Sequence, residues 1–511
     1  MNISKQLSCT AQEYANKPAY IFEHQPTSYK DLDQAVTLFA SGLAAIGYKK
    51  GDHIALVVGN SPYYIIGLYG ALRLGLVVIP INPLYTPSEL SYILHNGDVK
   101  AVITLDRLLE KFQAIDGELS ISNYIVCNSR VGEQPIPMER ERLHAFSEVL
   151  QLGDPYFDQP DLQSDDLAII LYTSGTTGTP KGAMLSHHNL YSNAKDVADY
   201  LSINDKDKVI AALPMFHVFC LTVSLNAPLM NGGTVIVLPK FSPSTVFELS
   251  TTYQATIFAG VPTMYNYLLQ AKREDKENPF ATIRFCISGG ASMPVALLKG
   301  FEQAFDVTIS EGYGLSEASP VTCFNPLDRP RKPGSIGCSI QGVENKIVDE
   351  WGGEVPVGEV GELIVRGPNV MLGYYKLTEE TAAALKNGWL YTGDMARMDD
   401  EGYFFIVDRK KDMILVGGYN VYPREVEEVF YRHPNVIEVA VIGTPDPETG
   451  EAVQCFVVTD ENGVTAEELI SFCQTYLAKY KIPTNIIFLD ELPKNTTGKI
   501  LRKNLREQVL Q

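Results

Sequence analysis

The chain has 511 residues, 45% of them apolar and 20% charged, which is the balance of a soluble globular protein too long for one ordinary core. A formal charge of −19 and a pI near 4.9 argue against a nucleic-acid partner and against electrostatic docking on an anionic membrane, leaving room only for a weak apolar membrane contact. Eight cysteines without CxxC spacing set aside zinc and thioredoxin-like sites, in favour of reduced, mostly buried thiols in a cytoplasmic protein.

In chain order, Met1-Asn2-Ile3-Ser4-Lys5 lacks the basic and apolar regions of a signal peptide. Residues 53–58 form a short apolar run that reads as a strand, and Ser61-Pro62 offers an N-cap with proline at the first helical position. That helix is expected to reach about Leu74, with a second strand over residues 76–81. Residues 65–81 are the most apolar stretch, but Arg73, Gly67, Gly70, Gly75 and Pro80 interrupt it, so it is not read as a membrane span. Thr86-Pro87-Ser88-Glu89 has capping-box spacing and opens another helix before a strand at 100–104. This β-α-β-α-β order implies parallel strands covered by helices, and it recurs in the runs 167–172, 208–213, 234–238, 255–259 and 284–288.

From about Gly334 the texture changes to glycine-punctuated short strands such as 361–367, which predicts a smaller β-rich subdomain. The charged cluster Asp408-Arg409-Lys410-Lys411-Asp412 follows, between strand-like residues 403–407 and 413–416. Beyond it lies an independent α+β pattern, with helices from Pro423 and Ala466 and strands at 436–442, 453–458 and 486–489. The expected fold class is α/β. A large N-terminal domain (1–408) combines stacked, mostly parallel sheets, helices and the β-rich subdomain; a small mobile α+β domain (409–511) completes the chain.

The most informative segment is Tyr172-Thr173-Ser174-Gly175-Thr176-Thr177-Gly178-Thr179-Pro180-Lys181-Gly182. Its glycines admit positive φ, so successive N–H groups can converge on an anion; its hydroxyls add donors and Lys181 adds charge. It follows a strand, where a ligand-binding loop belongs in an α/β sheet. The Walker pattern is absent, so a P-loop NTPase is disfavoured. His187-His188 lacks a suitably spaced carboxylate and receives no role.

The loop resembles the phosphate loop of the adenylate-forming superfamily, which includes acyl-CoA synthetases, peptide-synthetase adenylation domains and beetle luciferases. Further motifs follow in the expected order: Gly312-Tyr313-Gly314-Leu315-Ser316-Glu317, Tyr391-Thr392-Gly393-Asp394, the hinge-like 408–412 cluster, and Pro493-Lys494-Asn495-Thr496-Thr497-Gly498-Lys499. With Met215-Phe216-His217-Val218-Phe219 and Val416-Gly417-Gly418-Tyr419-Asn420-Val421-Tyr422-Pro423, the pattern is most similar to bacterial long-chain-fatty-acid–CoA ligases, particularly those of bacilli.

The resemblance implies an enzyme that uses ATP, Mg²⁺ and coenzyme A to convert a medium- to long-chain fatty acid into acyl-CoA, AMP and pyrophosphate through an acyl-adenylate. It places Thr173, Ser174, Gly175, Thr176, Thr177, Gly178 and Lys181 on the phosphates, and Glu317 and Thr173 on Mg²⁺, a hard cation suited to one or two carboxylates plus phosphate oxygens. Tyr313 would stack on adenine within Gly312–Gly314, Ser316 would meet the α-phosphate, and Asp394 and Arg409 would hold the ribose. Gly289, Gly290 and Ala291 would flank the nucleotide and the acyl tunnel, and His217 the acyl channel. Lys499 would bridge carboxylate and α-phosphate, offsetting the repulsion between two anions. The small domain would then turn about Lys411 and bring Gly417, Gly418 and Tyr419 over the site to line a pantetheine tunnel. Relatives of this kind are often homodimers. A carrier-protein-loading adenylation enzyme and a non-catalytic nucleotide-binding relative are the alternatives.

Overall fold

Along the strand Lys208–Ala211, Val209 and Ala211 enter one apolar core while Ile210 enters another, so both faces are covered. The computed structural model describes residues 2–127, 140–173, 180–272, 277–461, 463–495, 498 and 500–509. Among these, the strands form four sheets. The largest runs in the order Cys338–Ser339, Val321–Phe324, Ile309–Gly314, Phe285–Ser288, Ile257–Gly260, Lys208–Ala211, Thr234–Val237, Pro18–Phe22, Gln25–Ser28. Every pairing from Ile309–Gly314 to Pro18–Phe22 is parallel. The second runs Gly373–Tyr374, Lys181–Ser186, Leu167–Thr173, Val77–Pro80, His53–Val57, Val99–Leu105, Asn123–Cys127, Leu143–Ala145, and is parallel from Leu167–Thr173 onward.

The two sheets share a core. Leu56 and Ile103 from one, and Val209 and Ile257 from the other, join the helices Tyr29–Ala45, Pro62–Leu74 and His187–Leu201 in it. The outer faces have their own helices: Val246, Leu268 and Phe301 cover Ile210 and Phe258, and Leu90 and Ile93 cover Ala55 and Val57. This is the expected α/β stacking of mostly parallel sheets.

Local signals act as read. Ser61 Oγ accepts from the Tyr64 N–H at 3.4 Å, Pro62 opens the helix, and Gly75 at φ 80° closes it. Thr86 and Glu89 form a reciprocal capping box. Arg73 is buried rather than solvated: it pairs with Asp33 at 2.6 Å and donates to Thr37 Oγ1 and Ser8 Oγ. The charge that breaks the apolar stretch thus ties three N-terminal helices together. Among the described residues no helix is long and apolar enough to cross a membrane.

The third sheet, antiparallel, is the β-rich part: Glu344–Val348, Gly361–Arg366, Trp389–Met398 and Leu385–Lys386, with Phe404–Arg409 also on Trp389–Met398. The fourth runs Tyr419–Val421, Ile414–Val416, Gly450–Thr459, Val436–Asp446, with Asn485–Phe488 on Gly450–Thr459. Helices Pro423–Phe430 and Ala466–Tyr476 share one of its cores, which contains Val426, Phe430, Leu469 and Cys473. Residues 410–413 therefore connect two separate sheets.

Candidate active site

The hairpin Leu167–Thr173/Lys181–Ser186 is antiparallel, with Thr173 directly opposite Lys181. Ser174, Gly175, Thr176, Thr177 and Gly178 lie outside the described residues. The stem fixes where the loop begins and ends. On the outer side of Lys181–Ser186, the short strand Gly373–Tyr374 adds Tyr374 opposite Ala183. The Lys181 ammonium stands 5.4 Å from the centre of the Tyr374 ring, and the Tyr374 hydroxyl donates to Glu317 Oε1 at 2.8 Å. Burial, reinforced by the Glu317 carboxylate, pushes the Tyr374 hydroxyl up, so it is protonated and a donor.

Glu317 is set by the strand Ile309–Gly314 and the 3-10 turn Ser316–Ala318 that follows it. Its Oε2 accepts no further hydrogen bond among the described residues. Those residues contain no group of three or more His, Cys, Asp or Glu arranged to hold a metal. A half-buried carboxylate with one oxygen committed and the other open fits a Mg²⁺ that arrives with phosphate ligands, rather than an ion caged by protein alone.

The same strand end carries Gly312, Tyr313 and Gly314. The Tyr313 hydroxyl donates to Asp394 Oδ2 in a short bond, and burial with the Asp394 charge holds that hydroxyl protonated. Asp394 lies opposite Arg409 in the antiparallel ladder of the third sheet, with Arg409 Nε 3.5 Å from Asp394 Oδ1. The Asp394 N–H donates to Thr392 Oγ1 at 3.1 Å, and the Gly393 N–H to Glu362 Oε1 at 3.1 Å, which fixes the turn behind the carboxylate. The three residues separated by 96 positions in sequence (313 to 409) meet in one corner, presenting an aromatic ring, an acceptor and a cation.

On the other side of Ile309–Gly314, the parallel strand Phe285–Ser288 ends in Gly289, Gly290 and Ala291. A Cβ at Gly289 would lie 3.2 Å from the Phe219 ring and 3.5 Å from the Gly312 carbonyl oxygen, so glycine permits that approach. His217 is half-buried two residues before Phe219, and its Nδ1 accepts from the Phe219 N–H at 3.3 Å. Gly290 and Ala291 are exposed at the rim, with Val261 Cγ1 3.5 Å from where a Gly290 Cβ would stand.

Lys499 lies outside the described residues, as do Thr496 and Thr497, but Gly498 is described. At φ +81°, a Cβ on Gly498 would stand 2.6 Å from Thr263 Oγ1 and 3.3 Å from Val261 Cγ2. Gly498 is thereby docked on the segment that also faces Gly290. Lys411 is exposed between the third and fourth sheets. Gly417, Gly418 and Tyr419 are turned to solvent: neither glycine has anything within 4 Å of a Cβ, and Tyr419 stacks on Tyr480 at 4.9 Å.

The structure thus gathers Thr173, Lys181, Glu317, Tyr313, Asp394 and Arg409 on one side, and His217, Gly289, Gly290 and Gly498 on the other, around the end of Ile309–Gly314. Sequence reading passed over Tyr374 and Thr263. Neither carries a local signal; both matter only through partners distant in sequence.

The family model described as "AMP-binding enzyme" matches residues 7–375, and "AMP-binding enzyme C-terminal domain" matches 425–499. The long-chain-fatty-acid–CoA ligase of Bacillus subtilis is 39% identical over 525 residues, covering 98% of this chain and 93% of that one. The ATP-bound crystal structure of MatB from Rhodopseudomonas palustris superposes with a TM-score of 0.91 at 33% identity, covering 99% of both chains. Apo MatB gives 0.80 at 32% identity, again over 99% of both chains. A benzoate CoA ligase from Burkholderia xenovorans gives 0.89 at 29% identity, over 99% of this chain and 100% of that one. With two matched segments covering most of its length, this chain belongs to the adenylate-forming AMP-binding enzymes and, among them, to the acyl-CoA ligases.

Proposed function

We propose that the chain is a fatty acid–CoA ligase for medium- to long-chain acids, working in two steps on one carboxyl carbon. The observation that carries this reading is the docking of Gly498 on Val261 and Thr263, where Val261 also faces Gly290. On this reading the lysine next to Gly498 would act where an acid and an α-phosphate have to meet. The higher similarity to the ATP-bound than to the apo form of MatB, 0.91 against 0.80, supports reading this orientation as the one that forms the adenylate.

In the first step Lys181 and the loop begun by Thr173 grip the phosphates, while Asp394 and Arg409 hold the ribose and Tyr313 the adenine. Glu317 and Thr173 would hold a magnesium ion, which neutralises phosphate charge when bound. Lys499 sits between the attacking carboxylate and the α-phosphate and steadies the negative charge concentrated there, a contribution worth several kcal/mol in such sites. His217 and Phe219, against Gly289, form the wall along which the acyl chain enters. In the second step the small domain turns about Lys411, withdraws Lys499 and presents Gly417, Gly418 and Tyr419 to the pantetheine arm of CoA. The thiol then displaces AMP. The aliphatic assignment rests on the name of the B. subtilis relative, and the benzoate ligase makes aromatic acids the competing substrates.

The test is pyrophosphate release from ATP across a series of fatty and aryl acids, with and without CoA. Release that requires a fatty acid, with thioester formed only when CoA is added, is the expected result. Turnover restricted to aryl acids would remove the fatty-acid assignment. Adenylate that accumulates untouched by CoA would point instead to a carrier protein as acceptor.

A further inference from the structure

We propose that Tyr374 is a positioning residue that holds Glu317 and Lys181 at a fixed spacing for metal-bound triphosphate. The proposal rests on the reading of the site given above and assigns a residue that reading does not use. Its backbone case is a short stitched segment. The Met371 N–H donates to the Glu317 carbonyl oxygen at 2.8 Å, the Leu372 N–H to Met184 O at 2.9 Å, and the Tyr375 N–H to Gly182 O at 2.8 Å. Five consecutive residues, 371–375, are therefore anchored at one end to Glu317 and at the other to the strand that starts with Lys181. The Tyr374 N–H is itself held by Thr381 Oγ1 at 2.8 Å.

The side chain repeats the bridge. Its hydroxyl occupies Glu317 Oε1 at 2.8 Å and its ring faces the Lys181 ammonium at 5.4 Å. A hydrogen bond to a carboxylate is among the stronger kinds, and by fixing one oxygen it fixes the direction in which the other presents itself to a cation. The ring adds an attraction to the lysine and limits where its flexible stem can point. One tyrosine thus serves both the carboxylate and the ammonium, through two chemically separable parts.

Tyr374→Phe keeps the ring and removes the hydroxyl, while Tyr374→Leu removes both. In the full chain, binding of Mn²⁺–ATP can be followed by the spectrum of the bound Mn²⁺, and binding of ATP in chelator by calorimetry. Tyr374→Phe is expected to weaken Mn²⁺–ATP about tenfold, the worth of one charge-assisted hydrogen bond, and to leave metal-free ATP unchanged. Tyr374→Leu should weaken metal-free ATP as well, through Lys181. A role confined to packing would reduce both forms of ATP binding equally in Tyr374→Phe, and that outcome overturns the proposal. So does a Tyr374→Phe chain that binds Mn²⁺–ATP as the wild type does. If the wild-type chain releases pyrophosphate with a fatty acid, the reading of the site stands whichever way the variants fall. If wild-type ATP binding is indifferent to the metal, both are overturned.

Discussion

Arg424 Nη1 donates to the Ile406 carbonyl oxygen at 2.8 Å, joining the first turn of the helix Pro423–Phe430 to the strand that carries Arg409. Its Nη2 reaches the Gly334 carbonyl oxygen at 3.3 Å and its backbone N–H reaches Asp408 Oδ2 at 2.9 Å. The helix belongs to the C-terminal sheet's core, whereas Ile406, Gly334 and Asp408 precede Lys411, on the side of the chain that carries Tyr313 and Asp394. A turn about Lys411 would have to break all three bonds.

Arg424→Ala should therefore disfavour the orientation seen here. Two side-chain hydrogen bonds at about 1 kcal/mol each amount to a shift of roughly thirtyfold between orientations. Pyrophosphate release is expected to slow by up to that factor, while conversion of a supplied acyl-adenylate and CoA to thioester holds its rate. Equal slowing of both half-reactions would show that Arg424 does not act on orientation.

Gly498→Ala places a Cβ 2.6 Å from Thr263 Oγ1, at a backbone φ of +81° that L side chains adopt only with strain. Strain of about 1–3 kcal/mol predicts a loss of roughly tenfold or more in adenylate formation. The thioester step from supplied adenylate should survive, as it should in Lys499→Ala. Adding Thr263→Ala to Gly498→Ala removes the clash but not the φ strain, so recovery should be partial. No recovery in the double variant would count against the docking of this turn on Thr263.

Asp394 is expected to read the ribose hydroxyls. Asp394→Asn should cut the preference for ATP over 2′-deoxy-ATP by about tenfold, because a buried acceptor that discriminates a hydroxyl is being replaced by an amide. Steady-state kinetics with both nucleotides measures it. A variant that weakens both nucleotides equally would leave Asp394 with the turn alone.

Glu311 gives a pH prediction. It is buried, its Oε1 accepts from the Met293 N–H at 3.1 Å, and its Oε2 has no partner among the described residues. Burial pushes its carboxyl up to about 7, with Arg424 pulling it down and Glu428 adding to the rise. The folded chain therefore holds this proton more tightly than the unfolded chain does. That contribution to stability is full below the ordinary value of 4.5 and is lost as pH rises through about 7. Glu311→Gln keeps the neutral shape, so its melting temperature should gain on the wild type between about pH 5 and about pH 8. A gap that stays constant with pH would refute the assignment.

Much of this was legible from residue order. Ser61-Pro62 and Thr86–Glu89 mark helix starts because caps are local chemistry, and the strand runs are apolar on both faces because helices cover both sides. The motifs that supply Glu317, Asp394 and Arg409 were readable because each is short and distinctive. The link between Tyr374 and Glu317 was not, because it depends on an edge strand of two residues, too short to show a period. Arg73 was legible only as a charge that breaks an apolar run; its burial among Asp33, Thr37 and Ser8 was not, because those partners come from distant helices. The π-helical segment Cys220–Asn226, which follows His217, likewise has no signature in its order of apolar residues.

The Asp394–Arg409 rung ends two residues before Lys411. A chain that pivots at Lys411 moves everything after that point and nothing before it. The sugar of the nucleotide would then stay in the same hands from the first bond formed to the last bond broken. The intermediate would not be passed from one domain to another. It would be held still while the reagents around it are exchanged, so a reactive mixed anhydride need never face bulk water between the two steps.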